Sequence, residues 1–126
     1  MKGTAVMFHA YTNALDLIRA LVPVVEQLKR YDSNLADQVV RAATSVTLNV
    51  AEGARRSGKD RRRFYVMARG SAGEIQGALD TADAWGWRVD SERARSLVRR
   101  QLGLLGGLCK DPKRVESTRV DSTPIE

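Results

Sequence analysis

Four stretches of this chain place apolar residues three and four positions apart, and no stretch reads as a strand. That spacing gathers the apolar side chains on one face of a helix. A chain so written is confined to a set of helices that each hide one stripe against the others. The first stretch runs from about Phe8 to Arg30, with Leu15, Ile18, Leu21 or Val22, Val25 and Leu28 as its stripe. Pro23 lies inside it, removes one backbone donor, and is expected to kink the helix near residues 19–21 or to split it. Asp32-Ser33-Asn34 is a polar break rich in N-cap residues. The second stretch follows, from about Ser33 to Arg56, with Leu35, Val39, Ala42, Ala43, Val46 and Val50 inward.

Ser57-Gly58 is the next turn, and the third stretch runs from about Lys59 to Trp85. Phe64, Met67, Ala68, Ser71, Ile75, Ala78, Leu79 and Ala82 mark its buried face. Gly70, Gly73 and Gly77 lie within it, each costing about 1 kcal/mol of helix propensity relative to alanine. Close packing of the backbone on a neighbouring helix or another subunit is the expected reason for them. Trp85-Gly86-Trp87-Arg88 ends this helix, and Asp90 or Ser91 caps a fourth, from about Ser91 to Leu108. Its inward residues are Ala94, Leu97, Val98, Leu104, Leu105 and Leu108, and Pro112 forbids its continuation. Residues 110–126 are polar and unpatterned and read as a disordered tail. The expectation is one domain over residues 1–109: an all-α, up-down-up-down antiparallel four-helix bundle.

The composition removes most chemistries. Hydrophobic residues make up 43% and charged residues 29% of the 126 positions, which is the balance of a globular protein. No apolar run approaches the roughly 20 residues of a membrane helix, and Lys2 is followed by no apolar core of the signal-peptide type. The one cysteine, Cys109, cannot close an internal disulfide, which suits a reducing cytoplasm. The one histidine, His9, is too little for a di-iron bundle or a Ser-His-Asp set. Gly53 to Lys59 spells most of a P-loop, but Asp60 stands where the magnesium-ligating Ser or Thr belongs and no strand precedes it. Neither a metal, a cofactor nor an enzymatic role is expected.

The charge, by contrast, is concentrated. The chain carries a formal net charge of +6. Between residues 55 and 69 stand seven bases (Arg55, Arg56, Lys59, Arg61, Arg62, Arg63 and Arg69) against one acid, Asp60. This segment alone accounts for the +6, and the remaining residues balance. A patch of this kind attracts phosphate backbones at long range, whereas the plainer reading is a solvated helix end. Tyr65 is the aromatic expected to be exposed beside the arginines, and Phe64 the one expected to face the core. Asn49 and Glu52 on the second helix stand at a depth comparable with Arg69 and Glu74 on the third, and are expected to form a polar network that fixes the hairpin's register.

Leu35, Gln38, Arg41, Ala42, Ser45 and Asn49-Val50-Ala51-Glu52-Gly53, followed by Phe64, Ala68, Gly70-Ser71 and Glu74, resemble a small bacterial four-helix-bundle family. That family includes proteins encoded in intervening sequences of large-subunit ribosomal RNA genes, and the accessory proteins of diversity-generating retroelements are similar to it in fold. The resemblance covers about residues 8–108. It implies an up-down bundle assembled as a homopentamer, with nucleic-acid binding as the suggested activity. It also gives Asn49, Glu52, Gly53, Gly70, Ser71 and Glu74 the place of a structural signature. The sequence departs from the family pattern at Ala54-Arg55, where an aromatic is common, and in carrying Pro23 in its first helix.

Two functional expectations follow. The first is a cytoplasmic, non-enzymatic, oligomeric bundle that holds nucleic acid, RNA in preference to DNA. Arg55, Arg56, Lys59, Arg61, Arg62 and Arg63 would make the phosphate contacts, with Arg95 and Arg99 of the fourth helix as additions. The second is an interaction scaffold or accessory subunit whose arginines meet an acidic partner protein, such as a reverse transcriptase or other nucleic-acid enzyme.

Overall fold

The computed structural model describes residues 2–110. Four helices occupy them: α1 Lys2–Lys29, α2 Ser33–Ala54, α3 Gly58–Trp85 and α4 Glu92–Cys109. Each packs along two neighbours, α1 on α2 and α4, and α3 on α2 and α4. Side-chain contacts fix the directions. Asn13 and Ala10 of α1 meet Leu97 and Gln101 of α4, while Gln27, near the other end of α1, meets Asp90 just before α4 begins. Ser45 of α2 meets Ser71 of α3, and Gly53 meets Tyr65. Arg95 of α4 meets Asp80 and Asp83 of α3, and Arg62 of α3 meets Cys109. All neighbours are therefore antiparallel, and the molecule is the expected four-helix bundle. The tail expected over residues 110–126 falls, beyond Lys110, outside the described residues.

Local chemistry sets the turns. Asp32 caps α2: its extended backbone carries a carboxylate that accepts from the amides of Asn34 and Leu35 at 2.9 and 3.1 Å. Gly86 ends α3 in the left-handed region at φ 77°, with its amide on Asp83 O and that of Trp87 on Ala82 O. This is a Schellman motif, and glycine occupies the position where a side chain would strain the backbone. α1 starts six residues before the expected Phe8 and runs unbroken through Pro23, which sits on the exposed side. Among the described residues no helix is long and apolar enough to cross a membrane.

The core differs from the expected stripes in α1. Ala10, Ala14, Leu17, Leu21, Val24 and Leu28 are the buried set. Leu15, Ile18 and Val25 are half-buried, and Val22 is 59% exposed. α1 carries two adjacent apolar stripes, and spacing alone cannot say which one faces inward. On α3 the glycines do not pack on a neighbouring helix of this chain. A methyl added at Gly70, Gly73 or Gly77 would meet no atom within 4 Å.

Two buried residues escaped the sequence reading. Gln101 is fully buried and Asn13 nearly so, and they join α1 to α4. The Asn13 amide donates to Gln101 Oε1 at 2.6 Å and to Leu97 O at 3.0 Å, and Gln101 Nε2 donates to Ala10 O at 3.0 Å. Between apolar neighbours such a bridge fixes register, because removing one partner strands the other. Asn13→Ala should cost about 1–3 kcal/mol of stability. Leucine at both positions should cost less than the single change, as measured by denaturant midpoints.

Candidate functional site

The basic segment forms one end of the bundle, where α2 and α4 finish and α3 begins. Cations in the first turns of α3 oppose that helix's own dipole, whose positive end they share. The antiparallel arrangement supplies the remedy, because the carbonyl-rich ends of α2 and α4 lie alongside. Arg61 Nε donates to Gly53 O at 3.1 Å and Nη2 to Ala54 O at 3.3 Å, closing the end of α2. Arg62 Nε donates to Cys109 O at 2.7 Å, closing the end of α4. Cations at helix C-termini are worth about 0.3–1 kcal/mol each. Both arginines satisfy carbonyls and meet no carboxylate among the described residues, so their charge is not neutralised.

Arg56 and Arg63 are bound differently. Arg56 Nε donates to Glu52 Oε2 at 2.8 Å and Nη1 to Asp60 Oδ2 at 3.0 Å, while Arg63 Nη2 reaches Asp60 Oδ1 at 3.2 Å. The two guanidiniums lie over the Phe64 ring, 5.2 and 4.6 Å from its centroid, a cation–π arrangement. The Arg63 hydrogen bond, followed by that of Arg56, holds the Asp60 carboxyl below the usual aspartate range. The bond to Glu52, ahead of that to Asp60, raises Arg56 further above its already high value. The Asp60 pairing is therefore complete at neutral pH and is lost only as pH falls through the lowered aspartate value. Arg55 and Lys59 are exposed and have no side-chain partner among the described residues. Arg69 stands beside Cys109, whose thiol is pushed up by burial against the opposing charges of Arg69 and Arg62.

The seven cations of residues 55–69 thus face two carboxylates, Glu52 and Asp60, leaving an excess of five positive charges in that segment and its partners. Arg95 does not belong to the patch. It lies further along the bundle, only 23% exposed, with Nη1 on Asp80 at 2.8 Å and Nη2 on Asp83 at 2.7 Å. Its function in the fold is to clamp α4 on α3. Arg99 is exposed one turn nearer the basic end.

The two aromatics exchange their expected places. Tyr65 is buried, and Phe64 is the half-exposed ring beneath the arginines. The reason lies in Gly53: a methyl there would sit 2.5 Å from Tyr65 Cε1, so the ring occupies the space a side chain would fill. The Tyr65 hydroxyl has no hydrogen-bond partner among the described residues, and burial raises its pKa.

The expected network of Asn49, Glu52, Arg69 and Glu74 does not form. Asn49 Nδ2 donates to Ser45 O and Ser45 Oγ at 2.9 and 3.0 Å, and the Ser45 and Ser71 hydroxyls pair at 2.8 Å. Hydroxyls, rather than the carboxylates, cross from α2 to α3. Glu74 lines an open polar groove with Gln38, Arg41, Ala42, Ser45 and Ser71, while Arg69 points to α4. Charged side chains are too costly to desolvate at this close contact, so Glu52 turns outward to Arg56. Ser45, with small neighbours on both helices, was the available signal.

The chain matches the family model described as 23S rRNA-intervening sequence protein over residues 7–100. It belongs to that family. The match contains the whole α2–α3 hairpin, so the shared motif residues can be read in this family member by contact. Gly53 admits Tyr65, Ser71 and Asn49 tie α3 to α2 through Ser45, and Glu52 holds Arg56, while Gly70 and Glu74 stay on the open face. No curated protein matches the chain.

Gly53→Ala should destabilise the bundle by about 1–3 kcal/mol, because the Tyr65 ring has no room to move. Tyr65→Phe should be neutral or stabilising, since it removes a buried hydroxyl without a partner. Urea titrations of the two variants check the pair, and a strongly destabilised Tyr65→Phe would contradict the packing described.

Proposed function

We propose that this family member is a non-enzymatic nucleic-acid-binding module that holds its ligand by the phosphates at the basic end of the bundle. The observation that carries the reading is the excess of five positive charges there, with Arg55 and Lys59 exposed and free of partners among the described residues. Arg61, Arg62 and Arg69 add charge that no carboxylate neutralises, and Arg56 and Arg63 contribute through an exposed network that one acid, Asp60, bridges. RNA is the preferred polyanion, because the family takes its name from an intervening sequence of 23S rRNA. Such contacts read the charge and shape of the backbone.

We also propose that the bundle acts as a homo-oligomer, with the pentamer implied by the sequence resemblance as its form. Support comes from apolar residues left outside the core along α1 and α2: Leu48 is 63% and Val22 59% exposed, with Val40 beside them at 46%. Repetition of the basic end around a ring would make weak contacts cumulative.

Affinity for a single-stranded RNA should fall with salt, log K against log salt having a slope of roughly −3.5 for five neutralised phosphates. Arg55→Ala with Lys59→Ala should flatten that slope by roughly 1.4 without unfolding the bundle, because neither side chain packs. Asp60→Asn should steepen it by releasing Arg63 and removing one of the two carboxylates on Arg56. Salt-independent binding, or unchanged affinity in the double variant, would contradict the reading. Sedimentation should show an assembly that Leu48→Glu with Val22→Glu converts to monomer; a wild-type monomer at micromolar concentration would remove the oligomer.

A further inference from the structure

Phe64 is the aromatic ring among the cations of residues 55–69 that reaches water, and Tyr65 beside it is buried. The packing fixes its place. Tyr65 is seated against Gly53, and Arg61 closes this part of α3 onto the end of α2. Two guanidiniums lie over the Phe64 ring, that of Arg63 at 4.6 Å and that of Arg56 at 5.2 Å from its centroid. Asp60 holds both of them, and their side chains are still 60% and 45% exposed. The cover of this ring is therefore two long, solvated side chains rather than packed core.

That cover is made of the groups a phosphate seeks. A phosphate arriving at this end competes with Asp60 for the same guanidiniums, and the local excess of positive charge favours it. A guanidinium that swings from Asp60 to a phosphate leaves the ring it had covered. An exposed cation–π contact is weak, whereas a base stacked on an aromatic ring is among the stronger single contacts a nucleic-acid strand makes. The exchange of guanidinium for base therefore runs toward the bound state. Only a strand with unpaired bases completes it, because a duplex keeps its base faces stacked on one another.

We propose that Phe64 is a stacking residue for an unpaired base, uncovered when phosphates draw Arg56 and Arg63 off its ring. It gives single strands an affinity that phosphates alone do not supply. The proposal rests on the nucleic-acid reading above and adds to it a contact with a base.

Three labelled RNA oligomers of equal length separate the contributions: a single-stranded oligoadenylate, its abasic counterpart and a duplex. Each is titrated by anisotropy over a range of salt. Wild-type protein should bind oligoadenylate between about five- and a hundredfold more tightly than the abasic oligomer, the range for one base–aromatic stack, with the same salt slope. Phe64→Leu keeps apolar bulk beneath the arginines and should abolish that advantage, while the abasic oligomer and the duplex bind as before. Phe64→Trp should retain it. The wild-type comparison needs no substitution, so it decides even where a variant fails to fold. Equal affinity for the abasic oligomer, with the salt slope kept, overturns the stack and leaves the phosphate reading in place. So does a Phe64→Leu change that weakens none of the oligomers, or that weakens all three alike and so makes the ring a mere support for the arginines. Affinities that ignore salt and the Arg55→Ala, Lys59→Ala change overturn the phosphate reading, and the stack with it.

Discussion

The bundle depends on a conflict of charge that its topology resolves. Lys59, Arg61, Arg62 and Arg63 stand in the first turns of α3, where that helix's dipole is already positive. Alone, such a helix start would be unfavourable. In the bundle the ends of α2 and α4 lie beside it, and their last carbonyls take up Arg61 and Arg62. The antiparallel order of the helices and the placing of the arginines are thus one solution. The cations fasten three helices together at this end, and their charge still faces outward because carbonyl dipoles, unlike carboxylates, leave the net charge in place.

The hairpin of α2 and α3 is fixed by small things. Gly53 makes room for the Tyr65 ring, and two turns further along Ser45 and Ser71 exchange a hydrogen bond that Asn49 completes. These contacts set how far α3 slides along α2, and hence which residues reach the end of the bundle. A one-turn slip, about 5.4 Å, would move Arg61 away from the carbonyls of Gly53 and Ala54. On the other side, the Asn13–Gln101 bridge does the same for α1 and α4.

Much of this was legible in the sequence. Helical spacing marked all four helices, and Asp32, Ser57-Gly58 and Gly86 marked the turns between them. The concentration of charge at residues 55–69 was plain from residue types alone. What escaped was the choice among faces that only packing decides. Both Leu17 and Ile18 belong to helical stripes in α1, and only packing on the neighbouring helices selects the first. Phe64 and Tyr65 are adjacent, and the cavity above Gly53 decides which is buried. Arg95 looks like any other arginine of the patch until α3 brings Asp80 and Asp83 to it. Sequence shows which groups carry charge; it does not show which of them the fold has already paired.

The claim beneath the functional reading is that the unpaired cations of the basic end, rather than arginines in general, meet the ligand. Arginine-selective chemical footprinting with and without bound single-stranded RNA, read by mass spectrometry, tests it directly. Arg55 should be strongly protected by RNA, while Arg19 and Arg41 on the flanks of the bundle keep their reactivity. Equal protection of all arginines, or protection of the flanks with Arg55 left reactive, would contradict it.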